Sequence, residues 1–332
     1  MHKWSAILSS AETALQSSAA SAERLWNLLT SSPLAKKPQP VRQQAVAHPE
    51  RPLQASPPPV ISGRWLAWAL GIALSVAVLC AYGVLCLLVY QGQWQLILHP
   101  SSTVSATPAS QGLKFDDIRF DYTETGSARL NGWWMPAQPD TRWSASTVLY
   151  LHGGSGSLSN SVDDFTILHS LGINVFAFDY RGYGRSAGPT PREKRMRQDA
   201  EATWSYLTDT RHIAPKSIVI YGTGIGAALA AELAAKHVPA GVILDGPSEP
   251  AQQIIRADAR ARIVPGFLII ERFDPADILR NLAAPKLFLD RNGTKSRASE
   301  LYKTAALPKQ YFELGPGAFE PTLRRFLDEV LP

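Results

Sequence analysis

Between residues 65 and 90 the chain carries no charged side chain, and this run, WLAWALGIALSVAVLCAYGVLCLLVY, constrains the molecule more than any other feature. A helix needs ~20 apolar residues to cross the ~30 Å hydrocarbon core of a bilayer, and the run exceeds that. Trp65 and Trp68 at one end, with Tyr90 and Trp94 at the other, match the aromatic belts of two membrane interfaces. The run is too long, and begins too far from the start, for a cleaved signal peptide. A single-pass membrane helix over 65–90 is therefore expected. Lys36, Lys37, Arg42, Arg51 and Arg64 precede it, and no basic residue follows until Lys114. The positive-inside rule then places the N-terminal side in the cytoplasm and the large domain in the periplasm or outside the cell.

Residues 1–64 are rich in Ala, Ser, Gln and Pro, a composition that buries too little apolar surface to hold one conformation. They read as a disordered tail, with an amphipathic segment over 6–29 as the one place where a surface helix fits. The tail holds seven Lys/Arg against three Asp/Glu, which accounts for +4 of the net +5. What remains is nearly neutral, which argues against nucleic acid as a partner. The two cysteines, Cys80 and Cys86, both lie in the apolar run, so the large domain has no internal disulfide and no Cys-based metal site.

In residues 91–332 the periodicity changes. Residues 115–122 and 128–135 alternate apolar and polar positions around Thr125-Gly126-Ser127, a hairpin signal. Short β-rich runs follow at 147–151, 174–178, 217–221, 241–244, 286–289 and 310–314. Helical patterns lie between them at 159–170, 193–208, 225–237, 298–306 and 321–330. Apolar strands separated by helices predict an α/β domain, a mostly parallel sheet with helices on both faces.

Five pieces in fixed order then carry a resemblance. They are Leu98-His99-Pro100; Leu130-Asn131-Gly132-Trp133-Trp134-Met135-Pro136; Leu149-Tyr150-Leu151-His152-Gly153-Gly154-Ser155-Gly156-Ser157; Phe178-Asp179-Tyr180-Arg181-Gly182-Tyr183-Gly184-Arg185-Ser186; and Val219-Ile220-Tyr221-Gly222-Thr223-Gly224-Ile225-Gly226. Together they resemble the α/β-hydrolase superfamily, in particular its single-pass, short-lid serine hydrolases, from about Tyr90 onward. The resemblance implies an α/β-hydrolase fold behind one transmembrane helix, with an N-terminal antiparallel hairpin and a short helical cap near 250–282.

It also implies where a catalytic triad would stand, and there the sequence departs from it. The nucleophile elbow GxSxG has Gly224 at its centre, and glycine offers no nucleophilic atom. The acid position, in a loop reading Gly293-Thr294-Lys295-Ser296, falls on Ser296, with Asp290 as a fallback. The histidine position, in Gly315-Pro316-Gly317-Ala318-Phe319, falls on Ala318, and the last histidine in the chain is His237. Triad members act as a unit, so one loss removes most of the rate. The oxyanion-loop residues His152, Gly153, Gly154, Ser155 and Gly156 remain, as does Ile225 after the elbow. A non-catalytic binding or scaffold module at a membrane is the reading this favours, its partner a protein, lipid or small ligand, with no metal and no cofactor implied. Two alternatives stand beside it. One is a serine esterase whose nucleophile has moved, for instance to Ser155 with His152 as base. The other is dinucleotide binding, because Gly222 to Ala227 also spells GxGxxA after a strand, with Asp245 ending the next strand.

Overall fold

The computed structural model describes residues 62–120, 129–291 and 296–332, and Ser62–Pro332 form one compact unit. The tail, its segment 6–29, the turn Thr125-Gly126-Ser127 and the loop Gly293-Thr294-Lys295 lie outside the described residues.

Helix α1, Gly63–Gly92, begins at Ser62, whose side chain accepts from the Trp65 N–H, and runs into a 3-10 turn at Gln93–Leu96. It is long and apolar enough to cross a membrane, which makes it a candidate anchor. Beyond it come β1 (His99–Pro100), β2 (Asp116–Phe120), β3 (Leu130–Met135), β4 (Trp143–Leu151), β5 (Ser155–Gly156), α2 (Val162–Ser170), β6 (Ile173–Asp179), α3 (Glu193–Ser205), β7 (Ile218–Thr223), α4 (Gly226–Lys236) and β8 (Gly241–Asp245). The short helices α5 (Ala251–Ala257), α6 (Ala259–Arg262) and α7 (Ala276–Leu279) make up the cap. The chain closes with β9 (Lys286–Asp290), α8 (Arg297–Thr304), β10 (Lys309–Glu313) and α9 (Phe319–Val330).

Eight strands form one sheet in the order β10-β9-β8-β7-β4-β6-β3-β2. The pairs β2–β3 and β3–β6 are antiparallel and the rest are parallel. Strands β4, β6 and β8 are near-continuous apolar runs because both faces of the sheet are covered. Their side chains alternate between two cores. Leu149, Leu151, Phe176, Phe178, Ile220, Leu244 and Phe288 pack with α3 and α4 on one face. Val148, Tyr150, Val175, Val219, Tyr221, Ile243 and Leu289 pack with α2 and α9 on the other.

One pairing left no trace in the sequence pattern. β1 and β5 form a two-stranded parallel sheet in which His99 stands opposite Ser155 and Pro100 opposite Gly156. The His99 N–H donates to the Gly154 carbonyl at 2.7 Å and the Ser101 N–H to the Gly156 carbonyl at 2.8 Å. The glycine-rich loop is therefore held by the chain leaving α1.

The cap grips the end of α1. The Gln93 side chain is fully buried. Its amide donates to the Leu268 carbonyl at 3.0 Å, and its oxygen accepts from the N–H groups of Ile270 at 2.8 Å and Glu271 at 3.3 Å. The Glu193 carboxylate, at the start of α3, accepts from the Arg272 and Phe273 N–H groups at 2.6 and 3.0 Å. These bonds satisfy backbone groups of an irregular segment that has no helical or strand partners of its own.

Candidate functional site at the carboxyl edge of the sheet

Strand β7 turns into α4 through Gly224, whose φ of +58° lies in the left-handed region. The Gly224 N–H donates to the Asp245 carbonyl at 3.1 Å, and its carbonyl accepts from the Ser248 N–H at 3.2 Å. The turn has the strained strand-to-helix geometry that presents a nucleophile in this fold, with only backbone at its apex. A Cβ built on Gly224 would stand 3.4 Å from the Ser248 hydroxyl oxygen and 3.7 Å from the Gly153 Cα, so the place of a side chain is open. Two residues later Gly226 allows α4 to start against β4: a Cβ there would overlap the Leu151 carbonyl oxygen and lie 2.7 Å from that of His152.

The loop opposite, Gly153 to Gly156, is held by side chains of the segment after β6. The Tyr183 hydroxyl donates to the Gly154 carbonyl at 2.9 Å and the Tyr180 hydroxyl to the His152 carbonyl at 3.3 Å. Among the described residues, no backbone carbonyl accepts from the N–H of Gly153 or of Ile225, the donors an oxyanion hole in this fold uses. The glycine loop thus stands opposite a turn whose apex residue is glycine.

His152 is buried between the rings of Tyr180 and Tyr183, with centroids 4.5 and 5.0 Å away. Its Nδ1 lies 2.8 Å from the Gly153 carbonyl, an acceptor, so Nδ1 carries the proton; Nε2 faces the Asp179 carboxylate at 3.7 Å. Burial lowers the imidazole pKa to about 4 and raises the Asp179 carboxyl to about 6. Neither ring nitrogen reaches Ser155, whose cross-strand neighbour is His99. The pairing of Ser155 with His152 as its base does not form in this geometry.

The buried neutral imidazole has a pH signature. Above the ordinary histidine value of 6.5 both folded and unfolded chains hold it neutral; between 6.5 and about 4 only the unfolded chain gains the proton. The stability that His152 contributes is thus lost as pH falls through that window, while Asp179, with its carboxyl raised to about 6, contributes in the opposite sense. His152→Gln, which keeps a donor for Gly153, is expected to flatten this acid limb by about 2 kcal/mol between pH 7 and pH 4.5. Urea unfolding in detergent micelles at the two pH values reads it, and parallel losses in both proteins would exclude His152 as the cause.

The other implied triad positions have structural employment. Ser296 is the N-cap of α8: its hydroxyl accepts from the Ser299 N–H at 3.3 Å and donates to the Asp290 carboxylate. Asp290 ends β9, almost fully buried, and also accepts from the Tyr311 hydroxyl. Ala318 is the residue before α9 and contributes no side-chain cap.

The dinucleotide alternative meets a similar obstacle. Asp245, the carboxylate that would hold a ribose, is completely buried. It accepts from the Tyr221 hydroxyl and from Arg291, whose Nε lies at 2.8 Å and terminal nitrogen at 2.5 Å. Arg291 also approaches Asp164 at 3.6 Å, and Asp164 accepts from the Tyr150 hydroxyl at 2.7 Å. Tyr150 and Tyr221 stack with centroids 4.9 Å apart, and burial raises the pKa of both phenols and of Asp164. Gly222 to Gly226 pack a helix onto β4 rather than framing a free acidic residue. Sequence reasoning missed Arg291, Asp164 and Ser248, which come from three separate loops and elements and share no periodic pattern.

Comparison with known proteins agrees with the fold. The Hydrolase_4 family, described as serine aminopeptidase S33, matches residues 144–288. An uncharacterized protein of Mycobacterium tuberculosis is 29% identical over 281 residues, covering 77% of this chain and 94% of its own length. The human alpha/beta hydrolase domain-containing protein 17C is 28% identical over 225 residues, 68% of this chain; this chain spans 64% of that protein. Among solved structures, an alpha-beta hydrolase from Vibrio vulnificus superposes with a TM-score of 0.52 at 26% identity, covering 67% of this chain and 81% of that one. An esterase of Pyrococcus furiosus, at 18% identity and a TM-score of 0.55, covers 71% of this chain and 99% of its own and shares the fold. With the elbow, the glycine loop and the sheet order in place, the chain has the α/β-hydrolase fold and is similar in sequence to members of that superfamily.

Proposed function

We propose that this protein is a membrane-anchored α/β-hydrolase-fold module that binds rather than hydrolyses, with its globular domain on the periplasmic or outer side and its N-terminal tail in the cytoplasm. One observation carries the reading: the apex of the nucleophile elbow is Gly224, so no acyl-enzyme can form there. The occupied roles of Ser296 and Asp290, and alanine at 318, support it. The partner is a protein, a lipid or a small ligand at the carboxyl edge of the sheet.

Hydrolysis by a displaced hydroxyl is the competing reading, and a specific observation favours Ser248 over Ser155 for it. The Ser248 oxygen lies 3.4 Å from where a Gly224 side chain would begin. Among the described residues, however, no histidine or carboxylate hydrogen-bonds the Ser248 hydroxyl, and a serine without a base is a poor nucleophile.

The test uses the full chain in micelles, a panel of short- and long-chain acyl esters, and a fluorophosphonate probe that labels activated serines. No labelling and no turnover above buffer are expected. Gly224→Ser is expected to fold with a loss of about 1 kcal/mol from the left-handed backbone and to gain no activity, since it restores no base. Labelling of the unaltered protein that disappears in Ser248→Ala or Ser155→Ala would overturn the proposal and locate the nucleophile.

A further inference from the structure

Helix α1 is 30 residues long, about 45 Å, which exceeds a ~30 Å hydrocarbon core by about 15 Å. The cap lies against this surplus. The Tyr82 hydroxyl donates to the Ile263 carbonyl at 3.0 Å, and Gln93 binds Leu268, Ile270 and Glu271. From Tyr82 to Gln93 is about 16 Å along the helix axis, so residues 263–271 run beside the last three turns.

Those turns are not all covered. Val84 is 56% exposed, Leu87 54% and Leu88 63%, although the cap is beside them. Apolar side chains in this number require lipid around them if α1 spans a membrane, which brings the hydrocarbon at least to Leu88. Tyr82, six residues deeper, then lies about 9 Å below that level, and with it Ile263. The cap's outer edge is apolar to match: Ile263 is 62% exposed, Phe267 81% and Ile270 46%. Arg256 and Arg262, also exposed, flank this edge, and among the described residues neither forms an ion pair. A groove of about 170 Å³ separates cap and helix, lined by Leu88, Val89, Leu96 and Ala261.

We infer that the cap edge formed by Ile263, Phe267 and Ile270 is a second membrane-contact surface, seated in the headgroup boundary of an anionic bilayer with Arg256 and Arg262 on the lipid phosphates. The inference rests on the reading of α1 as a membrane span. Apolar side chains buried at the boundary and basic side chains beside anionic headgroups are the two attractions that hold interfacial elements. The chain is thereby fastened at two places, and the domain cannot swivel freely about α1.

The experiment uses the full chain, with Cys80→Ala and Cys86→Ala, in phosphatidylcholine vesicles with and without phosphatidylglycerol. A single cysteine carrying an environment-sensitive fluorophore is placed in turn at Phe267 in the cap, at Val76 in α1 and at Arg324 in α9, on the far face of the sheet. Quenching by aqueous iodide at 267 is expected to be about threefold or more below that at 324, with quenching by doxyl-labelled lipid at 267 and 76 but not at 324. Phosphatidylglycerol should deepen the lipid quenching at 267, and the Arg256→Gln/Arg262→Gln double variant should abolish that gain. If 267 is as open to iodide as 324 while 76 is shielded, the cap inference is wrong and the span stands. If 76 is itself open to iodide, the span reading fails and the cap inference falls with it.

Discussion

Gly226→Ala is expected to cost the domain about 3 kcal/mol or more, enough to leave much of the protein unfolded. The added methyl would overlap the Leu151 carbonyl oxygen and crowd that of His152, backbone atoms at the end of the central strand β4. No side chain can swing aside, so the helix must lift from the sheet or the ladder between β4 and β7 must break. Gly224→Ala, two residues earlier, is the control. Its methyl meets nothing closer than 3.4 Å and pays only for the positive φ, about 1 kcal/mol. Urea midpoints in micelles compare the two; equal losses would mean that backbone conformation, rather than close approach, governs this turn.

Arg291→Ala is expected to be comparably damaging, at about 3–5 kcal/mol, because among the described residues it leaves the buried Asp245 carboxylate with only the Tyr221 hydroxyl against it. The reverse change should be mild. Asp245→Asn keeps an acceptor for Tyr221, and the Arg291 side chain, 47% exposed, can turn its charge to water, so about 1 kcal/mol is expected. The double variant Arg291→Met/Asp245→Asn should be more stable than Arg291→Ala alone, since no uncompensated charge remains. A loss from Asp245→Asn as large as that from Arg291→Ala would show that the carboxylate is not held in place by the guanidinium.

Much of the fold was legible because it is written in local periodicity. The apolar run from Trp65 needed only a count to become α1, and the strand runs ended within a few residues of their observed bounds because both sheet faces are covered and select apolar residues at most positions. The elbow was legible for a different reason: a positive φ between a strand and a helix demands the small residues that spell its motif. What the pattern could not carry was any contact made by polar side chains across long separations. Gln93 reaches the cap 175 residues away, and Arg291 reaches Asp245 and Asp164 from a different loop. The pairing of His99 with Ser155 is two residues long, too short for a period to register. Ser296 stood out as a missing acid, whereas the structure employs it as a helix cap, a role open to serine wherever a helix starts.

The two-stranded sheet of His99–Pro100 and Ser155–Gly156 bears on what happens when α1 is cut away. Ser101 is tied on both sides, its N–H to Gly156 and its carbonyl to the Gly184 N–H at 2.8 Å. A chain shortened to begin at Thr103 would therefore lose a lateral clamp on the glycine loop as well as its anchor. Protein prepared in that form reports on a loosened loop, and a ligand that binds only the intact chain is one whose affinity depends on that clamp.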